Sequence, residues 1–117
     1  MNLAFCKAIQ WPAILVYSGD EELGYIESQL DWESDPDFIN AIFQPEDRLI
    51  DSLGRVFQLE SSQRQPVATA LNEKSSLENI NQRVKAHLSQ MGNCCVSKFA
   101  SQSIPEAYAV VKQSTHF

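Results

Sequence analysis

The stretch Arg48-Leu49-Ile50-Asp51-Ser52-Leu53-Gly54-Arg55-Val56-Phe57-Gln58-Leu59 constrains this chain more than any other. Two runs rich in β-forming residues flank four turn residues. Asp51 favours the start of a type I turn, and Gly54 suits the left-handed position of a G1 bulge. A hairpin at this point commits the sheet to antiparallel pairing, because parallel neighbours need a long crossover.

Other segments fall into place around it. Trp11-Pro12-Ala13-Ile14-Leu15-Val16-Tyr17 is short, apolar and bounded by Pro12 and Ser18-Gly19-Asp20, which predicts a strand buried on both faces. Glu22 to Glu27 is expected to return as its antiparallel partner, with Gly24 as its weak point. Ser61 to Gln65 is polar and reads as a loop, and Pro66 to Leu71 as a further strand. The segment beginning Asp35-Pro36-Asp37 opens a short helix, since it offers an N-cap, proline at the first helical position and an acid in the first turn. Phe38, Ile39, Ile42 and Phe43 form its apolar stripe, and Pro45 ends it.

The strongest helix runs from Ser76 or Leu77 to Met91. Ser75 and Glu78 fit a capping box, Leu77, Ile80, Val84, Leu88 and Met91 recur at helical spacing, and Gly92 stands where a C′ glycine belongs. Cys94 to Phe99 reads as a strand, and Ser103 to Lys112 as a final helix capped by Ser103. The predicted class is α+β: a mainly antiparallel sheet built from hairpins, with two or three helices packed on one face.

With 117 residues, 44% of them hydrophobic and 21% charged, the chain is expected to form one globular domain over residues 1–117. Net charge is −6 and unevenly spread: residues 1–51 carry eleven acids against two bases, and residues 52–117 four acids against seven bases. The halves are therefore −9 and +3, which predicts either two faces of opposite sign or halves that attract within one fold. The overall balance argues against general nucleic-acid binding, which needs a basic surface. The longest apolar run after Pro12, Ala13 to Tyr17, is far short of the roughly 20 residues of a membrane span. Cys6, Cys94 and Cys95 are odd in number and two are adjacent, unlike a secreted disulfide framework, and no secretory signal opens the chain. Reduced thiols in the cytoplasm are the expectation.

No pattern in the chain names an activity. Asp31-Trp32-Glu33-Ser34-Asp35-Pro36-Asp37 alternates carboxylates as a calcium loop does, yet Pro36 occupies the position of the turning glycine and Ile42 that of the bidentate glutamate. It reads instead as a solvated loop followed by helix N-terminal acids. Adjacent Cys94 and Cys95 point to opposite faces of a strand, a poor arrangement for one metal ion, and no Cys-x-x-Cys pair exists. His87 borders the apolar stripe of the long helix and reads as a helix-edge imidazole near its C-terminus. The other histidine, His116, is penultimate, and no nucleophile elbow or phosphate-binding glycine loop occurs. No catalytic residue, metal or cofactor is expected.

Trp11-Pro12-Ala13-Ile14, Gly19-Asp20-Glu21-Glu22-Leu23, Arg48 through Phe57, and His87 through Cys94-Cys95-Val96-Ser97-Lys98 together resemble a family of small bacterial proteins of unknown function. The resemblance spans nearly the whole chain and implies a single domain in a soluble, bacterial setting. It transfers no site. The expected role is that of a small cytoplasmic, non-enzymatic protein that binds another protein through its acidic 20–37 region. Trp32 is expected to stand exposed among Asp31, Glu33 and Asp35 as the contact. The alternatives are a thiol or metal function centred on Cys94, Cys95 and His87, and a small-ligand-binding domain.

Overall fold

The hairpin forms where its turn chemistry dictates. In the computed structural model, which describes residues 9–62, 65–92 and 99–115, Arg48–Ile50 (β3) pairs antiparallel with Arg55–Ser62 (β4), and Gly54 has φ +83°. Upstream, Ala13–Val16 (β1) pairs with Leu23–Ile26 (β2) on one side and with β3 on the other. Downstream, Gln65–Lys74 (β5) closes a five-stranded sheet in the order β2-β1-β3-β4-β5, every neighbour antiparallel. The polar stretch at Ser61 to Gln65 is taken up largely by pairing. β4 continues to Ser62 and β5 starts at Gln65, because ladder bonds satisfy polar backbone whatever the side chains are.

Among the described residues there are also four helices: Gln29–Ser34 (α1), Pro36–Ile39 (α2), Leu77–Gln90 (α3) and Ile104–Thr115 (α4). α1 stands where a loop is predicted. Ser28 caps it, its hydroxyl accepting from the Asp31 N–H, and Asp31 lies in its first turn. α2 begins as predicted at the Asp35 cap and Pro36 but stops after Ile39, so Ile42 never joins its stripe and is left exposed. The cap of α3 is Ser76, which accepts from the Asn79 N–H, rather than Ser75 paired with Glu78. Ser103 caps α4 through the Glu106 N–H, as expected. The strand predicted for Cys94 to Phe99 lies outside the described residues apart from Phe99.

Strand alternation splits the core in two. Ile14, Ile50 and Val56 face Ile80, Val84 and Leu88 of α3 and Ala107, Tyr108 and Val111 of α4, so the two long helices pack on one face. Ala13, Leu15, Leu49, Phe57 and Leu59 face the other way, where Trp32 of α1, Phe38 of α2 and Phe43 cover them. β1 is thus buried on both sides, and the α+β reading gains a second, thinner layer. Two ion pairs cross the boundary between the acidic and basic halves: Asp51–Arg55, a local pair within the hairpin turn, and Glu27–Lys112, an exposed pair that joins the end of β2 to α4.

Gly54 ties the hairpin to the long helices, its carbonyl accepting from the Ser75 N–H at 2.7 Å. A Cβ there meets the Ser75 carbonyl oxygen at 2.6 Å. Gly54→Ala is expected to lose about 1–2 kcal/mol for the left-handed backbone alone, with the clash added. Urea unfolding measures it, and a loss below about 0.5 kcal/mol contradicts so close an approach.

Candidate functional site

The acids of the first half reach one end of the fold from separate segments. Asp20 and Glu22 come from the β1–β2 turn, Asp37 from α2 and Asp47 from the approach to β3. All four act electrostatically on Tyr17, whose phenol is pushed above its ordinary pKa first by burial and then by Asp47, Asp37, Asp20 and Glu22. Asp47 is buried and structural: one oxygen accepts from the Ser18 N–H at 2.7 Å and the other from the Gln44 N–H at 2.8 Å, so it fixes both loops. The rest are placed by local backbone rules. Asp20 accepts from the Glu22 N–H, and Asp35 caps α2 by accepting from the Asp37 N–H.

Asp31 and Glu33 are exposed on α1, and Asp35 is half-buried at the α1–α2 junction. Among the described residues none of Asp20, Glu21, Glu22, Asp31, Glu33, Asp35 and Asp37 is ion-paired. Trp32, expected to be exposed among them, is 3% exposed. Its ring lies 5.4 Å from that of Phe38 and 6.0 Å from that of Phe43, and it roofs the second core cluster. The correction has a simple cause. A helix rotates each residue about 100° from the last, so one apolar residue among acids can turn inward while its neighbours stay in water. The apolar side chains that do face solvent in this layer are Leu30, 70% exposed, and Ile42, 88% exposed. The sequence pattern puts Ile42 on the apolar stripe of α2 and Asp37 in its first turn, and it gives Leu30 and Asp47 no role; Ile42 is exposed because α2 ends at Ile39, before the stripe reaches it.

His87 is also corrected. It is fully buried, and both ring nitrogens are engaged: Nδ1 accepts from the Leu23 N–H at 2.9 Å, and Nε2 lies 2.7 Å from the Ser114 hydroxyl. Because Nδ1 accepts, the neutral ring carries its proton on Nε2 and donates to Ser114, whose own hydroxyl donates to the Val111 carbonyl. A ring held this way is not free to bind a metal or activate a thiol. Cys94 and Cys95 lie outside the described residues.

Asp51 is the other buried polar centre. It accepts from the N–H groups of Gln10, Leu53 and Arg55 and forms an ion pair with the Arg55 guanidinium, so its lone pairs are consumed by the fold. Among the described residues no three His, Cys, Asp or Glu side chains are arranged to hold a metal ion, and no buried side-chain polar atom lacks a partner. Open grooves of about 300–400 Å³ lie between the β1–β2 turn and α3, along α3 beside Phe99, and at the β4–β5 irregularity. The first is lined by Asp20, Glu21 and Arg83 together with Val16 and Leu23.

The fold and its polar centres therefore define a small antiparallel α+β domain with an acid-rich end. The chain belongs to the DUF4144 family, described as a protein structure with unknown function, whose pattern matches residues 11–111. It is also similar to a solved structure, the NMR structure of a protein from Shewanella amazonensis, at 26% identity and a TM-score of 0.68, over 92% of this chain and 90% of that one. No functionally curated protein matches the sequence.

Proposed function

We propose that this protein is a non-enzymatic binding module whose acidic end, built from residues 20–37, receives a basic segment of another protein. The observation that carries the reading is the convergence on Tyr17 of carboxylates from the β1–β2 turn, α2 and the β3 approach, beside Asp31 and Glu33 of α1, which join no ion pair among the described residues. A phosphate backbone is repelled by such a surface, whereas a Lys- or Arg-bearing segment is steered to it. Leu30 and Ile42 offer apolar anchors that the carboxylates alone lack. A cytoplasmic setting suits the three cysteines, two of them adjacent. No helix among the described residues is long and apolar enough to cross a membrane.

The test compares two variants of equal charge. One carries Glu21→Gln, Glu22→Gln, Asp31→Asn, Glu33→Gln and Asp37→Asn; the other carries Glu46→Gln, Glu60→Gln, Glu73→Gln, Glu78→Gln and Glu106→Gln. Binding of a synthetic amphipathic Lys/Leu peptide is measured by fluorescence anisotropy at low and moderate salt. The first variant is expected to bind at least about tenfold more weakly than the second, since several charges act together at about 0.2–1 kcal/mol each. Equal losses in both reveal bulk charge alone and overturn the reading.

A further inference from the structure

His87 joins three elements that lie far apart in the chain. It sits on α3, its Nδ1 holds the first residue of β2 through the Leu23 N–H, and its Nε2 holds the last turn of α4 through Ser114. Among the described residues β2 is an outer strand of four residues, paired only with β1; its first residue, Leu23, is held by pairing with Val16, by its buried side chain and by this bond, the one of the three that responds to a proton. We propose that His87 is an acid-operated latch: protonation of its ring puts a hydrogen on Nδ1 against the Leu23 N–H and releases the start of β2 with the acidic turn before it, while Nε2 still donates to Ser114 and α4 stays in place.

The geometry allows only one charge state to close the latch. The neutral ring accepts from Leu23 and donates to Ser114; the imidazolium is a donor at both nitrogens and faces another donor at Leu23. The surrounding charges do not rescue the cation. Glu22, beside Leu23, favours it, but desolvation is the larger influence, and together they hold the imidazole below its ordinary pKa. On α3, Arg83 lies one turn before His87, and Glu22 is the charge that acts on the ring. On α4, Lys112 is committed to Glu27, and Tyr108, kept neutral by burial, donates to the Ile50 and Asp51 carbonyls.

Because the folded value is depressed, the latch is fully closed above the ordinary imidazole pKa of about 6.5 and is lost as pH falls from there through the lowered value. Within that window the closing equilibrium weakens up to about tenfold per pH unit. Opening is local, since the start of an outer strand separates at less cost than the whole fold.

The latch stands apart from the proposed binding role, because its readouts need no partner. Proton–nitrogen spectra of the wild-type protein are followed from about pH 8 to about pH 4.5, with His116, the other histidine, assigned separately. His87 is expected to titrate below 6.5, the Leu23 amide to shift with the same midpoint, and the Leu23 protection factor to fall up to about tenfold per pH unit in the window. In His87→Gln, if it folds, the Leu23 response disappears, and Ser114→Ala keeps it. Titration of His87 at or above 6.5, or a Leu23 amide that ignores it, overturns the proposal.

Discussion

Replacing Asp51 by alanine is expected to cost this protein about 3–5 kcal/mol, the scale of breaking a buried, hydrogen-bonded charge pair. The carboxylate is fully buried and accepts from the Gln10 N–H at 3.1 Å, the Leu53 N–H at 3.0 Å, the Arg55 N–H at 2.9 Å and the Arg55 Nε at 3.0 Å. Removing it orphans three backbone donors at the hairpin that organises the sheet, each costing about 1–3 kcal/mol if it stays dry. Water entering the gap moderates the sum. The ion pair itself matters less, because the Arg55 side chain is 24% exposed and is partly screened by solvent. Asp51→Asn, which keeps a carbonyl oxygen for the turn, is therefore expected to retain part of the loss. Against a typical total of about 5–15 kcal/mol, the alanine variant stands near the limit of folding. Urea unfolding measures it; a loss under about 1 kcal/mol shows that the turn does not depend on this side chain.

Trp32→Ala is expected to lose about 3–5 kcal/mol by emptying the site of a large buried ring. The ring spans the contacts to Phe38 and Phe43 and carries α1, a helix of six residues, onto the sheet. So short a helix does not persist alone, so its dichroism should fall with the loss of packing. Trp32→Phe keeps most of the contact and is expected to cost less. Trp11 and Trp32 are the chain's tryptophans, so emission of a Trp11→Phe variant reports Trp32 alone; burial predicts a blue-shifted spectrum and slow quenching by acrylamide. A variant Trp32→Ala that unfolds with wild-type stability would place the ring at the surface, as its acidic neighbours alone suggest.

Much of the fold is legible because it rests on short-range rules. The Asp51 to Gly54 turn, the Asp35-Pro36 start of α2, the span of α3 and the Gly92 terminus with φ +82° each follow from residues within a few positions of one another. The misreadings are of another kind. Ser28 caps α1 with a Trp32-bearing turn behind it, but a lone six-residue helix has too weak a period to be seen against an acidic background. The cap of α3 shifts by one residue because consecutive serines offer the same hydroxyl. The acidic end is visible as a composition bias that includes Asp31, Glu33 and Asp35. Its meeting point at Tyr17 was not visible, because it needs the β1–β2 turn, α2 and the β3 approach to come together.

The sequence by itself determined the antiparallel class, the caps and turns, and the placement of negative charge in the first half. Those properties depend on neighbours along the chain. Only the tertiary structure decided which polar and aromatic groups were withdrawn from water. His87 finds its acceptor role through Leu23, 64 positions away, and Asp51 reaches Gln10 across 41. Burial of a polar group is stable only when its partner is delivered to it, and the partner is chosen by the packing of distant elements.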